Sequence, residues 1–134
     1  MDRIPANRRS ENMRRIRSSN TKPELVVRSM LHKLGYRFRL HYKNLPGRPD
    51  LVFVSRRKAI FVHGCFWHQH KGCADGRLPK SQTGYWLPKL AGNQERDRLR
   101  RGQLRRLGWH SLAVWDCQTK DREKLEKRLL AFLA

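Results

Sequence analysis

The segment HGCFWHQHKGC, residues 63–73, holds three histidines, two cysteines and two large aromatic side chains. Such side chains suit metal binding, proton transfer and stacking on a flat ligand. Thiolate and imidazole groups are preferred zinc ligands, and four of them close a tetrahedral structural site. Since the spacing lacks paired CxxC knuckles, buried thiols that bind no metal are the alternative. We predict a structural zinc site formed by Cys65, His70, Cys73 and Cys117.

His68 lies in the same segment and is not needed by the predicted zinc site. The pKa of a histidine suits it to taking a proton near neutral pH. We therefore predict that His68 is a general base.

A carboxylate precedes one predicted strand, and a histidine ends the next. If the hairpin loop is residues 55–58, the register places Asp50 opposite His63. Opposed side chains of an antiparallel pair have Cβ atoms about 5 Å apart, so these two would meet at the open end of the hairpin. The alternative is that Asp50 only caps a strand and His63 only ends one.

Asp97 shares a predicted helix face with Leu90 and Leu104, each seven residues away. An acid in an inward-facing apolar stripe needs a partner. That partner is either one of the many arginines, in a salt bridge, or a group of a functional site.

Aromatic residues flank these candidates. Phe66 and Trp67 lie between a predicted zinc ligand and the predicted base, and Tyr85 and Trp86 follow the same loop. In a basic protein, exposed aromatic rings offer stacking platforms or wedges between bases. A local hydrophobic cluster around the zinc loop is the alternative.

Charge is the main global feature of the chain. Its 134 residues carry a formal net charge of +20, with a pI near 11.3. Such a field attracts polyanions. Because no apolar run approaches the ~20 residues of a membrane span, nucleic acid is favoured over a membrane. An odd number of cysteines without a secretion signal argues against disulfides and indicates a reducing cytoplasm.

Apolar periodicity and turn residues predict the elements that position these groups. Thr21, Pro23 and Glu24 form a helix start, with Thr21 as N-cap and Glu24 closing a capping box. This helix has an apolar face that includes Leu25, and Gly35 ends it. The other predicted elements are a short helix at 10–16, strands at 36–42, 50–54 and 59–64, a helix at about 85–107, a strand at 109–115 and a helix at 121–133.

This order of elements predicts a mixed α/β fold with a central sheet flanked by helices. Neither repeats nor linkers divide the chain, so we predict a single domain over residues 1–134. Its basic segment 1–20 is predicted to contact DNA.

Several blocks of the sequence resemble the very-short-patch-repair (Vsr) mismatch endonucleases. They are LPGRPD at 45–50, FVHGCFWH at 61–68 and NQERDRLR at 93–100, followed by LGW and VWDC. The resemblance implies a restriction-endonuclease-like fold of the PD-(D/E)xK type. It also implies nicking of one strand next to the T of a T:G mismatch left by deamination of 5-methylcytosine. The expected setting is the bacterial cytoplasm, at the nucleoid, with the protein acting as a monomer.

The resemblance also implies roles for individual residues. Asp50 would bind magnesium together with the main-chain carbonyl of Val62, and His68 would be the general base. His63 would support the phosphate or a metal-bound water, while Glu24 and Asp97 would complete the acidic surroundings. The zinc ligands would again be Cys65, His70, Cys73 and Cys117.

For DNA contacts, the resemblance implies that aromatic side chains intercalate beside the mismatch from the major groove and Met13 approaches from the minor groove. Two departures from the family are visible: Val62 replaces a usual threonine, and the histidine-rich tract is shortened to HQHKGC. The DNA-binding candidates are Phe66, Trp67, Trp86, Met13, Lys89 and Asn93.

Other functions fit the same composition. One is a restriction-type endonuclease of this fold that cuts both strands of paired DNA. Another is a non-catalytic zinc-containing nucleic-acid-binding module, and a third is a basic RNA-binding protein of the ribosome. The bases flanking a mismatch cannot be read from the sequence.

Overall fold

The computed structural model of the protein describes residues 21–65, 68, 70 and 82–134. Within these residues, four strands form one sheet in the order β1-β2-β3-β4. The β1–β2 and β2–β3 pairs are antiparallel, and β3 and β4 are parallel. The elements are α1 (Lys22–Lys33), β1 (Arg39–Leu40), β2 (Leu51–Phe53), β3 (Lys58–His63), α2 (Thr83–Arg106), β4 (His110–Trp115), a 3-10 helix (Asp116–Lys120) and α3 (Arg122–Leu133).

Helices cover both faces of this sheet, which confirms the predicted mixed α/β architecture. Alternate residues of a strand point to opposite faces, so each strand contributes to two cores. One core joins the sheet to α1 and α3, and the other joins it to α2. The first is formed by Val27, Leu31, Leu51, Phe53, Ile60, Val114, Leu125, Leu129 and Leu133, and the second by Leu45, Val52, Ala59 and Leu104.

Helix α1 has the predicted N-cap at Thr21, but its apolar face is rotated, and the Glu24 carboxylate faces His41 and Arg28 instead of closing the predicted capping box. The Thr21 hydroxyl accepts a hydrogen bond from the Glu24 backbone N–H at 3.3 Å. Val27 and Leu31 are buried, whereas Leu25, predicted on the inward face, is 48% exposed. At 3.6 residues per turn, Leu25 lies about 200° around the helix from Val27, so the two cannot share a face.

The β2–β3 hairpin has a different register from the predicted one. Its loop consists of residues 54–57, and Leu51 pairs with Ile60. If this pairing is continued along both strands, Asp50 is two residues away from the position that faces His63. The prediction that Asp50 lies directly opposite His63 is therefore wrong. A shift of two residues keeps every side chain on its own face of the sheet.

The cause of this register lies in the loop and in α3. Arg57 takes the left-handed conformation, with φ 53°, which closes the loop one residue earlier than expected. The Lys58 ammonium donates to the carbonyl groups of Phe132 at 2.6 Å and Ala134 at 3.2 Å. Lys58 is therefore tied to the end of α3 and opens β3 instead of belonging to the loop.

The predicted strand at 36–42 is reduced to Arg39–Leu40, because His41 turns out of the extended conformation with φ 47°. The predicted helix at 10–16 and the basic segment 1–20 lie outside the described residues. No helix among the described residues is both long enough and apolar enough to cross a bilayer.

Candidate active site

A cavity of about 600 Å³ opens between α2 and the sheet, where β2 begins and β3 ends. What we call the carboxylate side consists of His41 and Asp50, which line the cavity, and of the buried Glu24 next to them. The opposite, histidine side consists of His63, His68 and Asp97. Arginine side chains complete the lining: Arg48, Arg96, Arg100 and Arg101.

On the carboxylate side, two buried acids and an imidazole converge. One ligand atom from each of Glu24, His41 and Asp50 lies within 4.8 Å of the others. Glu24 is only 2% exposed, and its Oε2 faces both His41 Nε2, at 3.0 Å, and the guanidinium of Arg28. The buried carboxylate of Glu24 thus lies next to His41 and Asp50, which line the cavity, while its backbone N–H takes part in the start of α1.

Burial raises the pKa of Asp50 to about 7. The hydrogen bond from the Val62 backbone N–H to Oδ2, at 2.7 Å, acts in the opposite direction. The negative charge of Glu24 and a hydrogen bond with its carboxyl group also raise the pKa of Asp50, and Arg28 lowers it. The value of about 7 is the result of all these causes together. Two adjacent carboxyl groups that resist joint ionisation are well matched to a divalent cation, whose charge relieves their repulsion.

The LPGRPD segment is held against α2 at a glycine. Gly47 has φ 78°, and a Cβ atom there would lie 3.1 Å from Arg100 and 3.2 Å from Phe61. This close approach requires the absence of a side chain. Beyond the turn, the backbone N–H of His41 donates to the carbonyl of Asp50 at 3.1 Å, which sets the two residues side by side.

On the histidine side, the imidazoles of His63 and His68 both lie close to the carboxylate of Asp97. His68 Nδ1 lies 2.5 Å from Asp97 Oδ2, and His63 Nδ1 lies 3.7 Å from the same oxygen. The two imidazole rings pack edge to face with centroids 3.9 Å apart. The backbone N–H of His68 donates to the Gly64 carbonyl at 3.1 Å. The inward-facing acid of α2 therefore has histidine, and not arginine, as its hydrogen-bond partner.

Burial lowers the pKa of His63 to about 3. Positive charge on His68 lowers it further, Asp97 raises it, and Arg101 and His70 add smaller decreases. His63 Nδ1 makes no hydrogen bond with any residue that the structure describes. The imidazole is thus neutral at pH 7 and borders the cavity.

Asp50 and His63, predicted as direct partners, line the same cavity but belong to its two different sides. The hydrogen-bond partner of Asp50 is the Val62 backbone, and the carboxylate nearest to His63 is that of Asp97. The register of the hairpin accounts for the difference.

Beside the histidine side, Cys65, His70 and Cys117 form a further cluster with metal-binding side chains. Their ligand atoms lie within 4.8 Å of one another, with His70 Nδ1 3.8 Å from the Cys65 sulfur and 3.4 Å from that of Cys117. The Trp115 ring stacks on His70, with centroids 4.3 Å apart, and also contacts His63 at 5.0 Å. Cys73, the fourth predicted ligand, lies outside the described residues.

Trp86, Lys89 and Asn93, the predicted DNA contacts on α2, are spaced three and four residues apart and share one side of this helix. Asn93 accepts a hydrogen bond from Arg96, which lines the cavity. The Trp86 ring meets Tyr85 edge to face at 5.0 Å. The candidates Met13, Phe66 and Trp67 lie outside the described residues.

Several residues of the cavity are not among the site residues predicted from the sequence. His41 was assigned to a strand, and the left-handed turn that moves it has no clear sequence signal. The arginines did have a sequence signal, because Arg96, Arg100 and Arg101 lie within about one helical turn of Asp97. Trp115, which lies outside the cavity lining but packs against His63 and His70, is predicted only as an apolar strand residue.

A basic cavity with paired carboxyl groups on one side and a histidine–carboxylate pair on the other is typical of metal-assisted phosphodiesterases. A match to the family described as DNA mismatch endonuclease Vsr covers residues 1–74. The chain belongs to this family, as the sequence resemblance indicated.

Similar proteins cover almost the whole chain. The DNA mismatch endonuclease Vsr of Escherichia coli K12 is 44% identical over 122 residues, which is 91% of this chain and 78% of that protein. The type II nicking enzyme V.XorIIP of Xanthomonas oryzae pv. oryzae is 53% identical over 128 residues, covering 96% and 93%. The type II nicking enzyme V.NmeAIP of Neisseria meningitidis is 38% identical, covering 96% and 91%.

Proposed function

We propose that this protein nicks one DNA strand next to the T of a T:G mismatch left by deamination of 5-methylcytosine, and thereby starts very short patch repair. The observation that carries the proposal is the cavity itself, where Asp50, next to the buried acid Glu24, lies on the other side from a histidine–carboxylate pair. Family membership and the names of the relatives support nicking of mismatched DNA.

Asp50 and the main-chain carbonyl of Val62 would hold Mg²⁺, which prefers oxygen ligands. The fit rests on the buried acid pair and on Val62, whose N–H donates to Asp50. Because the N–H and carbonyl of one strand residue point to the same edge, this carbonyl faces Asp50 as well. When bound, the ion polarises the scissile phosphate and neutralises the charge that develops on it.

His68 removes the proton from the attacking water. Its Nδ1 is engaged by Asp97, so Nε2 is the atom that takes the proton, and Asp97 fixes the orientation of the ring. His63, kept neutral by burial, supports the phosphate from the same side. Glu24 and Asp97 complete the acidic surroundings.

The cavity arginines hold the flanking phosphates, and the aromatic side chains distinguish the substrate. Phe66, Trp67 and Trp86 enter from the major groove and Met13 from the minor groove, which costs a few kcal/mol per unstacked step. A mismatched step opens more easily than a paired one, so the insertion itself favours T:G. Lys89 and Asn93 contact the DNA from α2.

Zn²⁺ at Cys65, His70, Cys73 and Cys117 would tie the loop after β3 to the end of β4. This bridge supplies rigidity to a loop that has few apolar residues of its own. The fold is of the restriction-endonuclease type, and the protein acts as a monomer in the bacterial cytoplasm, at the nucleoid.

The test is Mg²⁺-dependent cleavage of end-labelled duplexes that differ in one base pair, T:G, T:A or C:G, in several sequence contexts. We expect nicking of the T strand at T:G alone, and its loss in His68→Ala. His110→Ala is the matched control, since His110 is an exposed histidine at the start of β4 and should nick normally.

Two results would contradict the proposal. Equal cutting of all three duplexes would indicate a restriction-type nuclease. Binding without cutting in every context, with His68→Ala indistinguishable from the unmodified protein, would indicate a non-catalytic binding module.

A further inference from the structure

The carboxylate side contains an imidazole that the proposed magnesium site does not use. His41 Nε2 lies 3.0 Å from Glu24 Oε2, and both lie with a ligand atom of Asp50 inside a 4.8 Å cluster. The His41 side chain is 24% exposed and lines the cavity, so an ion entering there would meet it.

The backbone holds His41 in this position at a cost. With φ 47°, His41 is in the left-handed region, which is unfavourable for a residue with a side chain. The backbone N–H of His41 donates to the Asp50 carbonyl at 3.1 Å. The backbones of His41 and Asp50 are therefore held together at the point where their side chains also lie close. The imidazole and the two carboxyl groups therefore form a preorganised donor set.

This donor set is not one that Mg²⁺ prefers. Mg²⁺ takes oxygen ligands, whereas imidazole suits first-row transition-metal ions, which also accept carboxylates. We propose that His41 is a direct ligand of the cation held by Asp50, beside Glu24, so that this protein binds Mn²⁺ more tightly than Mg²⁺. The inference rests on the proposed cation site and adds a ligand to it. The competing explanation is that His41, together with Arg28, only balances the charge of Glu24.

The test measures Mn²⁺ binding to the whole protein without DNA, from the electron paramagnetic resonance signal of the free ion. We expect His41→Gln to weaken Mn²⁺ binding by about 10-fold or more, and to change Mg²⁺ binding, measured by calorimetry, much less. His41→Asn repeats the test with a shorter amide. His110→Gln is the matched control and should bind both ions normally.

Pulsed resonance of the bound Mn²⁺ gives a second readout that does not depend on affinity. A directly bound imidazole couples its nitrogen to the electron spin. We expect this nitrogen coupling in the unmodified protein and in His110→Gln, and its absence in His41→Gln. Coupling that persists in His41→Gln would place the ion at another histidine and overturn the inference.

Asp50→Asn separates failure of this inference from failure of the cation site. If Asp50→Asn abolishes Mn²⁺ binding while His41→Gln leaves it unchanged, the cation site stands and His41 is not a ligand. The same conclusion follows if His41→Gln weakens both ions equally. If Asp50→Asn leaves Mn²⁺ binding unchanged, the site and the inference both fail.

Discussion

The two sides of the cavity respond to burial in opposite directions. Burial raises the pKa of Asp50 to about 7 on the carboxylate side and lowers that of His63 to about 3 on the histidine side. In both residues burial disfavours the charged form. A neutral imidazole can accept a proton or a hydrogen bond. A carboxyl group, in contrast, must lose its proton before it can bind a cation.

The neighbours reinforce this difference. Asp50 lies beside another acid, Glu24, whose negative charge opposes the ionisation of Asp50. Asp97 lies beside two imidazoles and is hydrogen-bonded to that of His68. On the histidine side the acid therefore has an imidazole partner, whereas on the carboxylate side two acids lie next to each other. Substitutions on the two sides should accordingly affect different properties.

The largest effect is expected on the histidine side, for Asp97→Asn. An amide can still hydrogen-bond to His68, but it lacks the negative charge that stabilises a protonated ring and it can hold the wrong tautomer. With His68 as the proposed base, single-turnover nicking of a T:G duplex should fall by about 10²–10⁴-fold. Glu95→Gln is the matched control, because Glu95 is an exposed acid of α2 paired with Arg98. Equal nicking by the two variants would mean that Asp97 does not orient His68.

The next effect concerns stability on the carboxylate side, for Asp50→Asn without added Mg²⁺. The folded protein holds a proton on Asp50 up to about pH 7, whereas the unfolded chain releases it near 3.8. Asp50 therefore costs stability as pH rises through this window. We expect Asp50→Asn to be more stable than the unmodified protein at pH 8, by on the order of 1–4 kcal/mol, with the gain disappearing near pH 4.

Urea unfolding across this pH range measures the gain in the free energy of unfolding of Asp50→Asn. His63→Gln should show the opposite pH dependence. Because the folded pKa of His63 is about 3, His63 costs stability as pH falls below its ordinary value of 6.5. The gain from His63→Gln should therefore appear below pH 6 and vanish at pH 8. If both variants gained stability in the same pH range, the contrast between the two sides would be wrong.

The smallest effect is expected at the arginines, which serve both sides. Arg101→Gln should reduce the slope of log affinity against log salt by about 1, because one phosphate contact is lost. Lys127→Gln, an exposed cation of α3 away from the cavity, is the control. An unchanged slope for Arg101→Gln would exclude a phosphate contact at this position.

The sequence predicted the groups of the cavity better than their pairing. Local patterns sufficed for the start of α1 and for the inward position of Asp97 on α2. The Asp50–His63 pair failed because hairpin loops at 54–57 and 55–58 fit the apolar pattern equally well. The choice depends on the left-handed Arg57 and on the bond from Lys58 to α3. His41 was missed for the same reason, since its position depends on a single backbone angle.

The parallel pairing of β3 with β4 has a consequence for the order in which the protein folds. The β2–β3 hairpin closes through a short loop, but β3 meets β4 only after the chain has passed through the whole of α2. Such long-range closure is slow compared with hairpin formation. During synthesis, a chain that ends before β4 has its basic residues but no strand to pair with β3. The basic charge of the chain thus precedes the pairing of β3 with β4, and the end of β3 that borders the cavity gains its neighbouring strand only after α2 has been made.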